Sequence, residues 1–268
     1  ENCFKMTNGV SEVINMACNM GGMGFIENNK AECMLSVLVN THMLMACKEN
    51  KVKKYFFSSS ACVYNKDLQD KPDISGLKES DAYPANPEDG YGWEKLFSER
   101  MCRHFLEDYG LDVKVARYHN VYGQNGTYDG GREKAPAALC RKIIIAKEKN
   151  SDIIDVWGDG KQTRSFLFIE DCVDATLQFF NSNHHGPINI GSEEKVSINE
   201  MIEKIEKISS KNFKKNYQLD KPKGVRGRSS NNDLIRKLLK WEPKYNLYEG
   251  LKRTYQWIEE DIKKKRNQ

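Results

Sequence analysis

The sequence predicts an α/β fold with a parallel sheet, on the basis of two observations. First, short apolar segments alternate with amphipathic ones along the first half of the 268-residue chain, and strands that alternate with helices form parallel sheets with crossover helices. Second, a row of hydroxyls and a thiol, residues 58–62 (SSSAC), directly follows the apolar residues 55–57 (YFF). Because ligands bind at the carboxyl ends of parallel strands, these polar side chains predict a functional site at that edge of the sheet.

The first half of the chain supplies the predicted sheet. Strands are predicted at 13–17, 54–58 and 112–117, and helices at 34–48 and 90–109. The second helix is expected to end at Gly110, since glycine is favoured just after a helix. Residues 19–25 (NMGGMGF) are predicted to form a flexible glycine loop, and residues 68–88 a loop rich in Asp, Pro, Gly and Ser.

After Tyr122 the pattern becomes less regular. Helices are predicted at 135–147, 171–180 and 247–264, strands at 153–157 and 187–190, and a glycine-rich loop at 123–132. Another helix is expected to begin after Ser197, with Glu200 three residues on as in a capping box. We therefore expect two domains. They are a sheet domain over 1–122 plus about 165–191, and a smaller α/β lobe over about 123–164 plus 192–268.

Composition excludes several classes of protein. Hydrophobic residues make up 39% of the chain and charged residues 30%, which is typical of a globular protein rather than a disordered one. The net charge of +4 is mild, so we expect no nucleic-acid partner and interpret the basic run 263–266 as a solvated helix end. No apolar run approaches the length of a membrane span. The eight cysteines occur singly without CxxC spacing, which predicts no metal site, no disulfides and a reducing, cytoplasmic setting.

The pair Tyr91 and Lys95 has the spacing YxxxK on the predicted helix 90–109. Residues four apart lie on one face of a helix. A phenol titrates near pH ~10, and a neighbouring ammonium favours the phenolate. We therefore expect Lys95 to lower the pKa of Tyr91, so that the phenol acts as a general base. On its own the motif is weak, since a surface Tyr–Lys pair also occurs by chance.

Three further segments accompany this pair in a defined order. They are the serine-rich strand end 58–60, residues 117–123 (RYHNVYG) and residues 158–166 (GDGKQTRSF). The ordered set resembles the extended short-chain dehydrogenase/reductase superfamily of NAD-dependent epimerases and dehydratases, which act on nucleotide-sugars. The resemblance implies a Rossmann-like parallel sheet that binds NAD in the first domain and a nucleotide-sugar bound by the second.

Four shorter segments narrow the resemblance. They are residues 20–25 (MGGMGF), 59–64 (SSACVY), 130–138 (GGREKAPAA) and 224–228 (GVRGR). They are similar to the GDP-mannose 3,5-epimerases, which convert GDP-mannose to GDP-L-galactose. This resemblance runs from about Glu1 to the end of the chain, and it implies a homodimer with the helix 90–109 in the interface.

The resemblance implies a role for each matching side chain. Tyr91 takes the C4 hydroxyl proton while hydride passes from C4 to NAD, Lys95 holds the nicotinamide ribose, and Ser60 bonds the substrate hydroxyl. Cys62 is the base and Lys134 the acid that act on C3 and C5 once C4 is a ketone. Further NAD contacts are implied for Asn15, Ala17 and Ser58. Further substrate contacts are implied for Gly22, Ala61, Asn120, Glu133, Ala135, Gln162 and Thr163, with Arg164 and Arg228 at the diphosphate and Lys142 as a further candidate there.

Simpler interpretations exist for several of these residues. A cysteine beside a buried strand usually serves only packing, and Lys134 taken alone is an ordinary surface lysine. Arg164 and Arg228 are equally compatible with solvated positions, although the guanidinium fork suits phosphate. We interpret His119 as structural rather than catalytic.

The sequence departs from the superfamily in one respect. The phosphate loop G-x-x-G-x-x-G and the acidic residue for the adenine ribose do not occur. Residues 21–24 (GGMG) are no substitute, because they follow the wrong strand and no helix is expected to begin directly after them. We therefore expect the native protein to be longer. Two alternatives stay open: another nucleotide-sugar 4-epimerase or 4,6-dehydratase, and an inactive scaffold that lacks its cofactor half.

Overall fold

The computed structural model describes residues 1–267 and confirms an α/β architecture with a parallel sheet. The strands are β1 (Glu12–Asn15), β2 (Lys54–Ser60), β3 (Asp112–Tyr118), β4 (Val121–Tyr122), β5 (Ile153–Trp157), β6 (Thr163–Ser165), β7 (Leu167–Phe168), β8 (Ile188–Ile190), β9 (Lys195–Ser197), β10 (Lys214–Gln218) and β11 (Gly227–Arg228). The helices are α1 (Asn2–Thr7), α2 (Met23–Asn28), α3 (Lys30–Met34), α4 (Ser36–Glu49), α5 (Asp89–Tyr109), α6 (Ala135–Glu148), α7 (Ile169–Phe180), α8 (Ile198–Ser209), α9 (Asp233–Leu239) and α10 (Leu247–Arg266).

The main sheet contains four parallel strands in the order β1-β2-β3-β8. Side chains of β2 alternate between its two faces. Tyr55 and Phe57 pack into one cluster with residues of α4 and α5, whereas Phe56 packs into another with residues of α7 and α9. A strand covered on both faces reads as a continuous apolar run, which explains the YFF segment. Ile14 of the edge strand β1 stays about half exposed, at 48%.

A further hydrophobic cluster lies among α6, α8 and α10. Its members come from residues 122–168 and 196–262. Two small sheets flank it, β10-β5 and β11-β6-β9. The capping box predicted at the start of α8 is present, with the Ser197 hydroxyl accepting from the Glu200 N–H at 3.1 Å. The domain bounds inferred from the sequence stay a prediction.

The glycine segment 19–25 differs from the sequence-based expectation. It was expected to be a loop with no helix directly after it, but α2 begins at Met23 with Gly22 as its N-cap. Tertiary packing explains the difference: Ile26 of this short helix is buried in a small cluster with Cys33, Cys62 and Tyr91. The prediction that α5 ends at Gly110 is confirmed, because this glycine adopts the left-handed conformation at φ 68°.

Within residues 1–267, none of the helices combines the length and the apolar character that crossing a membrane requires. All eight cysteines are free thiols.

A buried ion pair links α5 to the central strands of the main sheet. The Glu99 carboxylate accepts from Arg117 Nε at 2.9 Å and from Nη2 at 2.7 Å. It also accepts from the Ser59 hydroxyl at 2.5 Å. The remaining guanidinium nitrogen of Arg117 donates to the Glu79 carbonyl at 2.7 Å. Because Arg117 is only 1% exposed, its charge depends on these partners.

We expect Glu99→Gln to lower the free energy of unfolding by about 3–5 kcal/mol, because it leaves a buried guanidinium without its counter-charge. Urea unfolding measures this loss. Glu107→Gln on the same helix is the matched control, since Glu107 pairs with Arg103 at 2.6 Å on the surface. An exposed pair contributes about 1 kcal/mol or less. Equal losses in the two variants would contradict the assigned role of burial.

Candidate active site

The serine-rich end of β2 leads directly into a tight turn that carries a thiol. Ser60 is the N-cap of a 3₁₀ turn over Ala61–Val63, and its hydroxyl accepts from the Cys62 N–H at 3.2 Å. The Cys62 carbonyl accepts from the Glu88 N–H at 3.0 Å, just before α5 begins. A Cβ atom on Gly92 would lie 2.3 Å from this carbonyl oxygen. Glycine therefore lets α5 approach the turn closely enough to bring its side chains beside Cys62.

The first turns of α5 place Tyr91 and Lys95 beneath this turn, and both are buried. The Lys95 ammonium lies 4.7 Å from the ring centroid of Phe57 and 5.6 Å from that of Tyr91. Its nitrogen is fully enclosed and has no hydrogen-bond acceptor among residues 1–267, although Glu94 Oε2 lies 3.7 Å away. An ammonium buried without an acceptor is costly. The arrangement therefore fits a bound group with hydroxyl oxygens, such as the ribose of a nicotinamide cofactor.

The environment of Tyr91 does not match the expectation that Lys95 lowers its pKa. Burial raises the pKa of Tyr91 well above its usual value, and the thiols of Cys18 and Cys62 raise it further, while a hydrogen bond with Ser60 opposes them. The prediction of a lowered pKa is therefore wrong for this arrangement. The reason is that the sequence gives the spacing of the Tyr–Lys pair but not the extent to which the phenol is removed from water.

Cys62 is in contact with a cation. Arg228 Nη1 donates to the Cys62 sulfur at 3.4 Å, and Arg228 Nη2 donates to Glu88 Oε2 at 2.6 Å. Burial raises the pKa of Cys62, and Arg228 is the main opposing influence. The pKa of Glu88 stays below its usual value because Arg228 outweighs the cost of burial. The positive charge that a reactive thiol requires is therefore present.

Lys134 lines the same cavity as Cys62. It is the N-cap residue of α6. The loop before it touches α2, because the Gly22 N–H donates to the Arg132 carbonyl at 3.0 Å and a Cβ on Gly22 would lie 2.4 Å from the Glu133 carbonyl oxygen. Burial lowers the pKa of Lys134, while Cys62 raises it. Lys134 is thus an amine whose proton is more easily released than that of a solvated lysine.

Tyr91, Cys62, Lys134 and Arg228 line one cavity of about 330 Å³. It contains the Tyr91 side chain and almost all of the predicted substrate residues, namely Gly22, Ser60, Ala61, Cys62, Asn120, Glu133, Lys134, Ala135, Lys142, Gln162, Arg164 and Arg228. Met20 and Met23 line it as well. The structure therefore brings together segments that are far apart in the sequence, although the role of each residue stays a prediction.

Thr163 is the exception among the predicted substrate residues. It does not line the cavity, and its hydroxyl donates instead to the Pro72 carbonyl. Successive residues of a strand point to opposite faces, and Arg164, the next residue of β6, does line the cavity. The assignment of the Thr163 side chain as a substrate contact is therefore corrected.

The three remaining predicted NAD contacts lie together at the end of β1. The Asn15 amide donates to the Tyr55 hydroxyl at 2.7 Å, and its oxygen accepts from the Ala17 N–H at 3.1 Å. The Ser58 hydroxyl donates to the Asn15 carbonyl at 3.2 Å. Asn15 thus keeps the chain after β1 in a defined position at the carboxyl edge of the sheet, where ligands of such folds bind.

Two polar side chains of the cavity, Arg164 and Gln162, have few hydrogen-bond partners in the protein. Arg164 is buried and, within the described part of the chain, donates only to the backbone carbonyls of Thr163 and Lys223, at 2.8 and 3.3 Å. Burial lowers the pKa of Arg164 to about 10, and the neighbouring Arg228 contributes to this shift. Gln162 Oε1 has no hydrogen-bond donor within the described residues. A guanidinium without a carboxylate partner fits an anionic group in the cavity.

Arg228 and Lys142 are engaged with the protein itself. All three guanidinium nitrogens of Arg228 donate to side chains. Lys142 donates to the Asp155 carbonyl at 2.9 Å and lies 5.7 Å from the ring centroid of Trp157. Their placement at the diphosphate stays a prediction, and the contacts favour Arg164 over Arg228 for that role. His119 is fully buried and bonded to Asn189 at 2.9 Å, as expected of a structural residue.

Several residues of the site were not identified from the sequence. They are Gln69 and Glu88, which hold Arg228, and the cavity-lining residues Trp157, Pro222 and Lys223. Glu88 lies in a segment interpreted as loop, and nothing in its local sequence connects it to an arginine 140 residues away.

The fold and the site together define a class of protein. A parallel sheet with a serine at a strand end, followed by a buried tyrosine and lysine four residues apart on the next helix, characterises the short-chain dehydrogenases/reductases. More specifically, the chain belongs to the NAD dependent epimerase/dehydratase family, whose model matches residues 1–191.

Individual relatives support this assignment. The chain is 47% identical to GDP-mannose 3,5-epimerase 1 of Oryza sativa subsp. japonica, over 100% of this chain and 70% of the relative. It is 46% identical to GDP-mannose 3,5-epimerase of Arabidopsis thaliana, over 99% and 70%. Its structure is similar to UDP-glucose 4-epimerase of Thermotoga maritima with UDP-glucose, with a TM-score of 0.86 at 21% identity, over 97% of this chain and 82% of the other. The last likeness shows the fold, and the first two confirm the resemblance found in the sequence.

Proposed function

We propose that this protein converts GDP-mannose to GDP-L-galactose by epimerisation at C3 and C5, with transient oxidation at C4. The observation that carries the proposal is the shared cavity of Cys62 and Lys134 with Tyr91 and Ser60. A reaction that only inverts C4 does not require the Cys62 thiol or the Lys134 amine. The relatives named GDP-mannose 3,5-epimerase support the choice of substrate.

Oxidation at C4 uses the residues at the carboxyl edge of the sheet. NAD, when bound, accepts a hydride from the sugar and later returns it. Lys95 would hold the nicotinamide ribose, with Asn15, Ala17 and Ser58 as further contacts. Tyr91 takes the proton of the C4 hydroxyl, and Ser60 orients that hydroxyl. The hydrogen bond between Ser60 and Tyr91 favours the phenolate and opposes the burial that raises the Tyr91 pKa.

Epimerisation follows from the ketone at C4, which makes the hydrogens at C3 and C5 acidic. One group must remove a proton and another must return one from the opposite face of the ring. We assign removal to Cys62, assisted by Arg228, and return to Lys134. Burial raises the pKa of the thiol and lowers that of the amine, so the two values approach each other. A proton moves between such groups at a lower free-energy cost than between groups with widely separated pKa values.

The alternatives differ in what they require of the site. A 4,6-dehydratase would need carboxylates beside Ser60, where this chain has Ala61 and Cys62. A 4-epimerase would leave Cys62 and Lys134 dispensable. An inactive scaffold would bind ligand without exchange of carbon-bound protons.

We also propose a homodimer formed through α5, in a cytoplasmic setting. Trp93 and Phe97, one turn apart on this helix, are 46% and 53% exposed, and exposed apolar residues one turn apart favour a helix–helix interface. Leu35 and Leu38 at the start of α4 are also exposed. The free thiols fit a reducing compartment. A place in ascorbate biosynthesis is part of the same proposal.

In heavy water, the purified protein with NAD and GDP-mannose should incorporate deuterium at C3 and C5, as followed by NMR and mass spectrometry. We expect Cys62→Ser to slow this exchange by about 10²-fold or more, because the general base is lost. Cys3→Ser is the control, since Cys3 lies in α1 and does not line the cavity. Exchange at the normal rate in Cys62→Ser would remove the cysteine from the mechanism, and no exchange in the unaltered protein would refute the proposed function.

Arg164→Met should weaken GDP-mannose binding by about 10- to 100-fold, because a charge-assisted bond to the diphosphate is lost. We expect the melting temperature without ligand to stay equal or rise, since a buried charge lacking a carboxylate partner is removed. Calorimetry and thermal unfolding measure the two effects. Arg226→Met is the matched control, because Arg226 pairs with Asp159 at 3.1 Å. Equal loss of affinity in both variants would count against a specific role for Arg164.

A further inference from the structure

Three segments hold the guanidinium of Arg228 in one orientation. Nε donates to Gln69 Oε1 at 2.6 Å, and Nη2 donates to Glu88 Oε2 at 2.6 Å. The remaining Nη1 donates to the Cys62 sulfur at 3.4 Å. The guanidinium is planar and its donors point in fixed directions. Once two of its edges are bonded, the direction of the third is determined, and that direction is toward the sulfur.

Glu88 is connected to Cys62 through the backbone as well. Its N–H donates to the Cys62 carbonyl at 3.0 Å, and its carbonyl accepts from the Gly92 N–H at 3.0 Å in the first turn of α5. The carboxylate is therefore held by the same contact that places the thiol. Its charge alone disfavours a thiolate nearby. The strongest contact of this buried carboxylate is the hydrogen bond that it accepts from Arg228 Nη2.

We propose that Glu88, together with Gln69, is a positioning residue that holds the Arg228 guanidinium against the Cys62 sulfur and so supplies the cation that stabilises the thiolate. Its part in epimerisation rests on the proposed function. Glu88 touches neither the reacting carbon nor NAD in this scheme, and it acts through Arg228. Without the carboxylate, the guanidinium is free to turn toward the cavity, and the sulfur loses its only hydrogen-bonded cation within the described residues.

Several ionisable groups influence the charge state of the Cys62 thiol. Around Cys62 they are Glu88, Arg228, Arg164, Tyr91, Lys134 and Cys33. They come from the start of α5, from β6 and β11, from the N-cap of α6 and from α3. Among the charged groups within residues 1–267, only Arg228 donates a hydrogen bond to the sulfur, so its orientation is the variable that a substitution of Glu88 changes most.

Glu88→Leu, which removes both the charge and the hydrogen-bond acceptor, provides a test in which two explanations predict opposite signs. The rate of alkylation of Cys62 by iodoacetamide is measured against pH, with mass spectrometry of the peptide that carries Cys62. If the carboxylate positions Arg228, the thiol pKa rises and alkylation at neutral pH becomes about tenfold slower, as for a shift of one pKa unit. If the carboxylate contributes only its negative charge, the pKa falls and alkylation becomes faster. A fall or an unchanged pKa overturns the proposal.

Matched variants keep the test decisive. Asp89→Asn removes a carboxylate from the neighbouring residue, which pairs with Lys30 at 2.6 Å, and should leave the thiol pKa unchanged. Glu88→Asp keeps the charge and should restore part of the alkylation rate. If Glu88→Leu does not fold, Gln69→Leu removes the other anchor and should also raise the thiol pKa. An unchanged value in that folded variant would refute the proposal.

The alkylation assay needs neither sugar nor NAD, so it is independent of the proposed function. In the exchange assay, Glu88→Leu should lower kcat for deuterium incorporation about tenfold, with KM for GDP-mannose nearly unchanged, in line with the smaller thiolate fraction. A shifted thiol pKa in a protein that exchanges no sugar protons would leave the positioning role intact and refute only the proposed function. An increase in KM for GDP-mannose with kcat unchanged would contradict the positioning role of Glu88.

Discussion

The site depends on one backbone contact, between the turn after β2 and the beginning of α5. The Glu88 N–H donates to the Cys62 carbonyl, and the absence of a side chain on Gly92 allows the helix to approach that oxygen. The contact fixes the thiol relative to Tyr91 and Lys95, which lie one and two turns further along α5. It also brings the Glu88 carboxylate to Arg228. A shift of the helix would therefore change the hydride-transfer residues and the proton-transfer residues together.

Burial determines the chemistry available near this contact, because it removes water from the ionisable groups around it. It acts in opposite directions on acids and bases, raising the pKa of Cys62 and Tyr91 and lowering that of Lys134. Specific partners then oppose it, as Arg228 does for Cys62. Charges that the fold itself must keep are compensated in full, as for Arg117 with Glu99. Arg164 forms no salt bridge with a carboxylate among residues 1–267, which is consistent with a ligand as its partner.

Much of the fold and part of the site could be predicted from local patterns. The helix 90–109, its end at Gly110 and the capping box at Ser197 follow from signals within a few residues, and the structure contains all three. The glycine segment 19–25 was predicted less well, since α2 within it is stabilised by Ile26 packing against distant residues. The family resemblance implied Thr163 as a substrate contact, whereas strand alternation turns its side chain away from the cavity.

From the sequence by itself, periodicity determined the α/β class and the order of the elements, and the four-residue spacing marked the pair Tyr91 and Lys95. Cys62 and Lys134 became candidates through the family resemblance of the segments around them. Only the tertiary structure decided that Arg228 donates to Cys62 from 166 residues away and that Glu88 holds it there. It also decided the direction of the pKa shift of Tyr91. The physical reason is that hydrogen bonds between distant segments and the exclusion of water depend on how the chain packs, and a local pattern of residue types contains neither.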